Sequence, residues 1–330
     1  MKFLIRSVIA IIFGFPSILK AQFSLTDSLF NPDTLRHIVE VLAADSLQGR
    51  LTGTRENLQA ALFIKTEFER AGLKPVSGND GFYMPIKPYW FNVVGAIKGK
   101  SRPGQVVIFS AHYDHIGTLK TNPFRGVGGR AVAEKGDTVY NGANDNASGV
   151  AAIISLAKYF HATGNNERTL LFIAFTGEEL GLLGSKAFIE SMVADSIVAV
   201  INIDMIGRSD SEKPRTFITG DEYSDMLTIL NLNYRKYADK PEKDYFKIDI
   251  DKKSLSRLFM RSDNYPFALK GVPAHSIMLT EEDDINYHNL SDEPETLDYQ
   301  KMKSVIQAIA WGATGIVTGV DTPRRIRRLY

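Results

Sequence analysis

Two adjacent glutamates, Glu178 and Glu179, are the strongest chemical feature of the sequence. They follow an apolar run that ends at Thr176, as expected of a buried strand, and they precede a stretch with helical character. Neighbouring side chains at such a turn point to different sides of one pocket, so one acid can bind a metal while the other moves protons. For the pair alone, the alternative is a solvated acidic turn at a helix N-terminus, where the helix dipole favours negative charge.

Four further clusters of metal-binding residue types lie after predicted strands or before a predicted helix. His112 and Asp114 follow a strand, and their spacing lets the acid orient a ligating imidazole directly or through the backbone. Asp145 immediately precedes a helix, Asp204 follows a strand, and His288 lies in an acidic loop. Taken singly, a strand-end aspartate more often caps a turn, and Asp145 is a candidate N-cap. Taken with the glutamates, these nitrogen and oxygen donors suit two zinc ions that share a carboxylate.

Apolar periodicity predicts strands and helices in alternation along the chain. The predicted strands are 91–97, 105–110, 170–175, 197–203 and 274–279. The predicted helices are 33–43 with Asp33 as N-cap, 55–71 ending at Gly72, 147–161, 183–192, 223–239 and 297–317. Alternation of this kind is typical of an α/β fold whose mostly parallel sheet is covered on both faces. Sites in such folds lie at the C-terminal ends of the strands, where the candidate residues fall.

Composition excludes several classes of protein. The chain has 330 residues, of which 44% are hydrophobic and 23% charged, and its formal net charge is +1. These values are those of a globular enzyme, and the near-neutral charge gives no reason to expect nucleic acid or an anionic membrane as a partner. The sequence has no cysteine, which excludes disulfides, cysteine-linked lipid anchors and thiolate metal ligands.

The N-terminus has the features of an export signal. Lys2 and Arg6 precede an apolar run over 8–15, and Ala21 offers a small residue at the cleavage point. We predict a signal peptide over 1–21 and a single catalytic domain over 22–330. The processed chain is expected in the periplasm or outside the cell, without membrane association, because the apolar run is too short to span a bilayer comfortably. An uncleaved N-terminal anchor is the alternative.

Five sequence motifs together resemble those of a known enzyme family. The runs SAHYDHIG, GDTVYNGANDNASG, FTGEELGLLGS, NIDMIG and YHNLSDE are similar, in order and approximate spacing, to the motifs of the co-catalytic di-zinc aminopeptidases of the leucyl aminopeptidase/aminopeptidase Y type. The similarity covers most of residues 35–317. It implies a three-layer αβα sandwich with a central mixed, mostly parallel sheet of the zinc-exopeptidase kind. It also implies hydrolysis of N-terminal peptide bonds in a peptide substrate.

The resemblance implies a ligand set for two zinc ions. By correspondence with the motifs, Asp145 would bridge both metals. His112 and Asp204 would complete one site. Glu179 and His288 would complete the other.

The same correspondence implies two residues that act beside the metals. Glu178 would be the general base, taking a proton from the attacking water and passing it to the leaving amine. Asp114 would orient the imidazole of His112.

Other functions remain open at this point. Glutaminyl cyclases share the fold and much of the ligand set but work with one zinc, so a zinc count separates the two reactions. A non-catalytic binding protein would be expected to lose the base, whereas Glu178 is present. The ligands alone do not distinguish an aminopeptidase from a carboxypeptidase, and the sequence indicates neither the preferred residue nor the oligomeric state.

Overall fold

The computed structural model describes residues 28–76, 78–123, 136–208, 216–239, 241, 244–248, 258–279, 284–327 and 329. The signal peptide predicted over 1–21 therefore lies outside the described residues. Within those ranges, no helix combines the length and apolar character that a membrane crossing requires.

The described residues form one mixed sheet. Its strands in chain order are β1 (Tyr83–Lys87), β2 (Trp90–Ile97), β3 (Arg102–His112), β4 (Arg168–Phe175), β5 (Ile197–Ile203), β6 (Phe217–Ile218), β7 (Lys247–Ile248) and β8 (Ala274–Met278). Their spatial order is β1-β2-β4-β3-β5-β8-β6-β7. The central strands β4, β3, β5 and β8 pair in parallel, while β2 joins β4 and β6 joins β8 in antiparallel fashion. The predicted central mixed, mostly parallel sheet is confirmed.

Helices cover both faces of this sheet. In chain order they are α1 (Pro32–Leu42), α2 (Arg55–Arg70), α3 (Ser148–Thr163), α4 (Leu183–Glu190), α5 (Met226–Tyr237), α6 (Tyr265–Leu269), α7 (Tyr299–Gly312) and α8 (Thr314–Val317). Successive residues of β3 point to opposite faces, as a pleated strand requires. Phe109 packs in the core that contains Phe160 of α3, whereas Ile108 packs in a separate core with Phe188 of α4 and Phe267 of α6. The three-layer αβα sandwich is therefore confirmed.

One predicted N-cap and one predicted helix are wrong, while the other predicted elements, apart from β5, shift at their ends by a few residues. The N-cap of α1 is Asn31, whose Oδ1 accepts the backbone N–H of Asp33 at 2.8 Å, because Pro32 occupies the first turn and has no N–H to satisfy. The helix predicted over 297–317 is two helices, α7 and α8. Glycines at 312 and 315 lower the helix propensity where they separate.

The strand register explains why distant residues meet. At the C-terminal end of β3, His112 pairs with Phe175 of β4, and Ser110 pairs with Asn202 of β5. The chain segments that follow these three parallel strands therefore leave the sheet at one edge. His112 ends β3, and Asp145, Glu179 and Asp204 lie in the segments that follow β3, β4 and β5. His288 follows β8, which pairs in parallel with β5, so the topology brings it to the same edge.

Candidate metal centre

His112 ends β3 and is almost completely buried. Its Nε2 lies 3.2 Å from Oδ1 of Asp145 and 3.6 Å from Oδ1 of Asp204. Its Nδ1 lies 3.2 Å from the backbone carbonyl of Asp114 but 3.9 Å from that residue's carboxylate. Of the two ways in which Asp114 was expected to orient the ring, the geometry favours the backbone one. The imidazole thus presents Nε2 to two carboxylates.

The carboxylate of Asp114 is buried and accepts hydrogen bonds from two neighbouring turns. Its Oδ2 accepts the hydroxyl of Thr52 at 2.8 Å, and its Oδ1 accepts the backbone N–H of Glu178 at 3.2 Å. The same Thr52 hydroxyl accepts the N–H of Gly177 at 3.0 Å. Asp114 therefore joins the segment after β3 to the turn that carries the glutamate pair.

Asp145 lies between two groups of donors, immediately before α3. Its Oδ1 faces Nε2 of His112, and its Oδ2 lies 3.2 Å from Nε2 of His288. Asp292 holds this segment, because its carboxylate accepts the backbone N–H groups of Asn144 at 2.9 Å and of Asp145 at 3.0 Å. Burial acts to raise the pKa of Asp145, but His112 and His288 outweigh it and hold the pKa well below the usual range. The two oxygens of one ionised carboxylate thus point to different clusters.

The two adjacent glutamates have different surroundings. Glu179 places Oε2 at 3.1 Å from Nε2 of His288 and Oε1 at 2.9 Å from Nδ1 of His115. Burial and Asp145 act to raise its pKa, yet the two histidines bring it to about 2. For Glu178, burial raises the pKa well above the ordinary value, Glu179 adds to this, and His112 opposes it. One carboxylate is suited to binding a cation and the other to accepting a proton.

Asp204 and His288 complete the two clusters. Asp204 follows β5 and accepts the hydroxyl of Ser262 on Oδ2 at 2.6 Å, which leaves Oδ1 directed toward His112. His288 stacks on Tyr287, with ring centroids 3.9 Å apart. Burial acts to lower the pKa of His288, but Glu179 and Asp145 raise it to about 10. Close carboxylates of this kind stabilise positive charge at the imidazole, whether a proton or a metal ion supplies it.

The donor set fits two metal ions. His115, Asp145, Glu179 and His288 form one group, and His112, Asp145 and Asp204 form the other, each with ligand atoms within 4.8 Å of one another. Two atoms that face these groups, Oδ1 of Asp204 and Nε2 of His288, are buried without a hydrogen-bond partner. Buried polar atoms are normally satisfied, so a cation is the partner that the geometry calls for. Nitrogen and oxygen donors of this type suit zinc.

The structure brings together the seven residues that the sequence pointed to, and it adds others that the sequence reasoning missed. His115 lies in the first motif but received no role, although it follows His112 by three residues in the same turn. Asp292 and Ser262 also received none. Asp292 lies in the fifth motif, four residues after His288, which was a signal that could have found it. The contact of Ser262 with Asp204 joins residues 58 positions apart, which local sequence does not predict.

A known protein family matches the part of the chain that contains this site. Residues 92–311, two thirds of the chain, match the sequence profile of peptidase family M28. The chain belongs to peptidase family M28. This confirms the family that the motifs indicated.

Relatives of this M28 chain match it over parts of their length. A probable zinc metalloprotease of Phaeosphaeria nodorum is 34% identical over 125 residues, which are 37% of this chain and 24% of that protein. Aminopeptidase YwaD of Bacillus subtilis is 25% identical over 246 residues, which are 72% of this chain and 47% of that protein. The M28 chain thus spans between about a quarter and about a half of the length of these relatives.

Solved structures share the fold of the M28 chain. The LapA aminopeptidase of Legionella pneumophila superimposes with a TM-score of 0.66 at 17% identity, covering 96% of this chain and 78% of that one. A glutaminyl cyclase of Bacteroides thetaiotaomicron gives 0.62 at 18% identity, covering 88% and 98%. At such low identity the likeness shows the fold alone. The fold therefore does not decide between hydrolysis and cyclisation, and the roles of the site residues stay predictions.

Proposed function

We propose that the chain is an exported aminopeptidase that hydrolyses the N-terminal peptide bond of peptides with two zinc ions. The observation on which this rests is the position of Asp145, which directs Oδ1 to His112 and Oδ2 to His288. One carboxylate between two complete donor clusters is the arrangement that a pair of metal ions requires. Membership of peptidase family M28 and the resemblance to aminopeptidase YwaD support the reaction class.

The residues of the chain divide between the two ions. His112, Asp145 and Asp204 would hold one, and Asp145, Glu179 and His288 would hold the other. When bound, the zinc ions polarise the scissile carbonyl and lower the pKa of water toward about 7. The carboxylates of these residues lie close together and contribute the oxygen donors that favour divalent cations at this place.

Glu178 moves the protons. It is not needed in either donor cluster, and it is fixed beside them through its backbone N–H, which donates to Oδ1 of Asp114 at 3.2 Å. Burial raises its pKa, and a carboxylate of raised pKa is a stronger base at neutral pH. It takes a proton from the attacking water and delivers it to the departing amine.

The alternative is a single-zinc glutaminyl cyclase, an aminoacyltransferase on the same fold. The structural likeness to the Bacteroides thetaiotaomicron cyclase is the reason to consider this reaction. The geometry favours hydrolysis, because the cluster of His112, Asp145 and Asp204 is complete and buried as well as the one around His288. A single-ion enzyme would have no use for the first cluster as a metal site.

A substrate panel tests the proposal directly. The purified mature chain is incubated with a set of aminoacyl-arylamides, a glutaminyl peptide, and the same peptides with the N-terminus acetylated. Release of arylamine that stops with a chelator and returns with zinc supports the aminopeptidase, and the panel also reports the preferred residue. Cyclisation of the glutaminyl peptide without arylamine release would overturn it in favour of the cyclase. Cleavage of the acetylated peptides from the C-terminus would indicate a carboxypeptidase.

A further inference from the structure

His115 is a third imidazole at the metal centre, beyond the two that the zinc sites need. It lies in the segment after β3 and is completely buried. Its ring meets that of His288 edge to face, with centroids 5.6 Å apart. It also lies against Gly142, where an added Cβ would come within 2.6 Å of the imidazole carbons. The ring is therefore fixed in place by its surroundings.

The contacts of His115 distinguish the two oxygens of Glu179. Nδ1 of His115 lies 2.9 Å from Oε1, whereas Nε2 of His288 lies 3.1 Å from Oε2. The oxygen that His115 contacts is thus not the one that faces the other donors. Nδ1 lies farther from Asp145, at 3.8 Å from its Oδ2.

These distances indicate a hydrogen bond and not shared coordination. Two atoms bound to one tetrahedral zinc, each at about 2.0 Å, lie about 3.3 Å apart. The distances from Nε2 of His288 to Asp145 and Glu179, 3.2 and 3.1 Å, approach that value. The 2.9 Å from Nδ1 of His115 to Oε1 is a hydrogen bond, whereas Nε2 of His288 is buried without a hydrogen-bond partner. A nitrogen that donates its proton has no lone pair for a metal.

We propose that His115 is a positioning residue for the metal site of Glu179 and His288: its Nδ1–H holds Oε1 of Glu179, so that Oε2 alone serves as the ligand. The same arrangement occurs at the other cluster. There the Ser262 hydroxyl donates to Oδ2 of Asp204 at 2.6 Å and leaves Oδ1 directed toward His112. Glu179 and Asp204 thus each have one carboxylate oxygen occupied by a protein donor and one available to a cation.

The consequence is a tighter metal site. A hydrogen bond to the second oxygen fixes the rotation of the Glu179 carboxylate, and loss of such partners typically weakens metal binding by about 10- to 100-fold. This inference rests on the proposed function only in that Glu179 and His288 bind an ion. Zinc affinity is measured without substrate, so this inference can fail while the proposed reaction holds, and the proposed reaction can fail while this inference holds.

A matched pair of substitutions tests the role. In His115→Asn the amide can occupy the place of Nδ1 and still donate to Oε1, whereas in His115→Gln the amide nitrogen falls near the place of Nε2. Zinc dissociation constants of the mature chain and both variants are measured by competition with a chromophoric chelator. His288→Ala identifies the binding step that belongs to this site. Exposed His37, changed to Gln, is the control for removing an imidazole elsewhere.

The expected result is a contrast between two variants of similar polarity. His115→Gln weakens the step assigned to the Glu179–His288 site by about 10- to 100-fold, and His115→Asn recovers most of that loss. Thermal unfolding of the zinc-free variants checks that both fold. Wild-type affinity in His115→Gln, or equal losses in both variants, would overturn the proposal. So would the loss of one bound ion at saturating zinc in both variants, because His115 would then be a ligand.

Discussion

Glu178 and Glu179 are neighbours in sequence with opposite chemical environments. The histidines around Glu179 bring its pKa to about 2, whereas burial raises that of Glu178 well above its ordinary value. The difference arises from direction: Glu179 points at His115 and His288, while Glu178 is held by its backbone beside Asp114. In the proposed function, this turn of two residues would supply a ligand and a base.

Replacing Glu178, the proposed base, should separate catalysis from metal binding. Glu178→Gln keeps the shape of the side chain but removes its basicity, so turnover on an aminoacyl-arylamide should fall by about 100- to 10,000-fold. Zinc content should stay that of the wild type, because Glu178 is outside both donor clusters. The control is Glu190→Gln, an exposed acid at the end of α4, which should leave both unchanged. Turnover near the wild-type value would show that Glu178 is not the base.

Removing a proposed ligand should lower the zinc content of the protein, which Glu178→Gln should leave unchanged. His288→Ala takes away the nitrogen that approaches Asp145 and Glu179 at 3.2 and 3.1 Å, so the protein should bind less zinc. Metal analysis of the dialysed variant measures this. Full zinc loading in His288→Ala would remove His288 from the ligand set.

The sequence predicts the site residues that follow strands but not the donors that orient them. His112, Glu179 and Asp204 could be found because strand ends are visible as the points where apolar runs stop, and Asp145 because it directly precedes an apolar helix. His115 approaches Glu179, 64 positions away, only through the register of β3 against β4. Pairings of that kind depend on tertiary packing, on which local periodicity carries no information.

At the scale of elements, the segment before α3 depends on a buried ion pair. Asp292 accepts the N–H groups of Asn144 and Asp145, and its Oδ1 also accepts Nη1 of Arg208 at 2.6 Å. Arg208 is itself buried and pairs with Asp284 as well. The position of Asp145 is therefore set by a carboxylate that lies outside both donor clusters.

Asp292→Ala should both destabilise the protein and weaken zinc binding. The change removes the acceptor of two buried N–H groups and one carboxylate partner of the buried Arg208, whose Nη1 keeps the hydroxyl of Thr296 at 3.1 Å; the expected loss is about 3–5 kcal/mol in the free energy of unfolding. Zinc affinity should fall because Asp145 loses its backbone support. Denaturant unfolding and chelator competition measure the two effects.

The matched control is Asp298→Ala at the start of α7. Asp298 caps that helix by accepting the N–H of Lys301 at 2.9 Å, so its loss should cost about 1 kcal/mol and leave zinc affinity unchanged. If Asp292→Ala and Asp298→Ala bound zinc equally well, Asp292 would not be what holds Asp145 in place.

His275 on β8 gives the fold a dependence on pH. Burial lowers its pKa to about 4, with Nδ1 at 2.8 Å from the carbonyl of Thr219 and Nε2 at 2.7 Å from the hydroxyl of Ser224. An unfolded histidine has a pKa of about 6.5, so below that pH the unfolded state binds a proton that the folded state excludes. The stabilisation is complete above pH 6.5 and is lost as the pH falls toward 4.

The slope of the unfolding free energy against pH should correspond to one proton taken up on unfolding. Between about pH 6 and 4.5 the unfolding free energy of the wild type should fall, relative to that of His275→Gln, by about 1.4 kcal/mol per pH unit. Denaturant unfolding across this range measures the difference, which cancels the contribution of the metal-site histidines. His37→Gln, an exposed control, should parallel the wild type. Parallel curves for His275→Gln would contradict a neutral, buried His275.

The longer elements follow from the sequence, and the short ones do not. β5 matches its predicted bounds because a run of apolar residues bounded by polar ones fixes both ends. β6 and β7 have two residues each, too few for any periodicity; β6 forms on the edge of β8, and β7 forms on the edge of β6. The division of α7 from α8 lies at glycines whose effect depends on how closely the neighbouring chain approaches.

At the scale of the molecule, the site exists because parallel strands end at one edge of the sheet. β3, β4 and β5 are adjacent, so the segments after them meet although they are far apart in sequence. Loops from the start of α3 and the end of β8 add Asp145 and His288. The order of the motifs along the chain and the order of the strands in the sheet together specify a two-cluster centre with one shared carboxylate.

The number of zinc ions bound per chain tests this account most directly. Native mass spectrometry of the mature protein, loaded with excess zinc and then exchanged into a volatile buffer, counts them without reference to substrate. The shared Asp145 and the two complete clusters predict two ions per chain. A single ion at saturation, with the second cluster empty, would contradict the two-zinc centre and favour the cyclase reading.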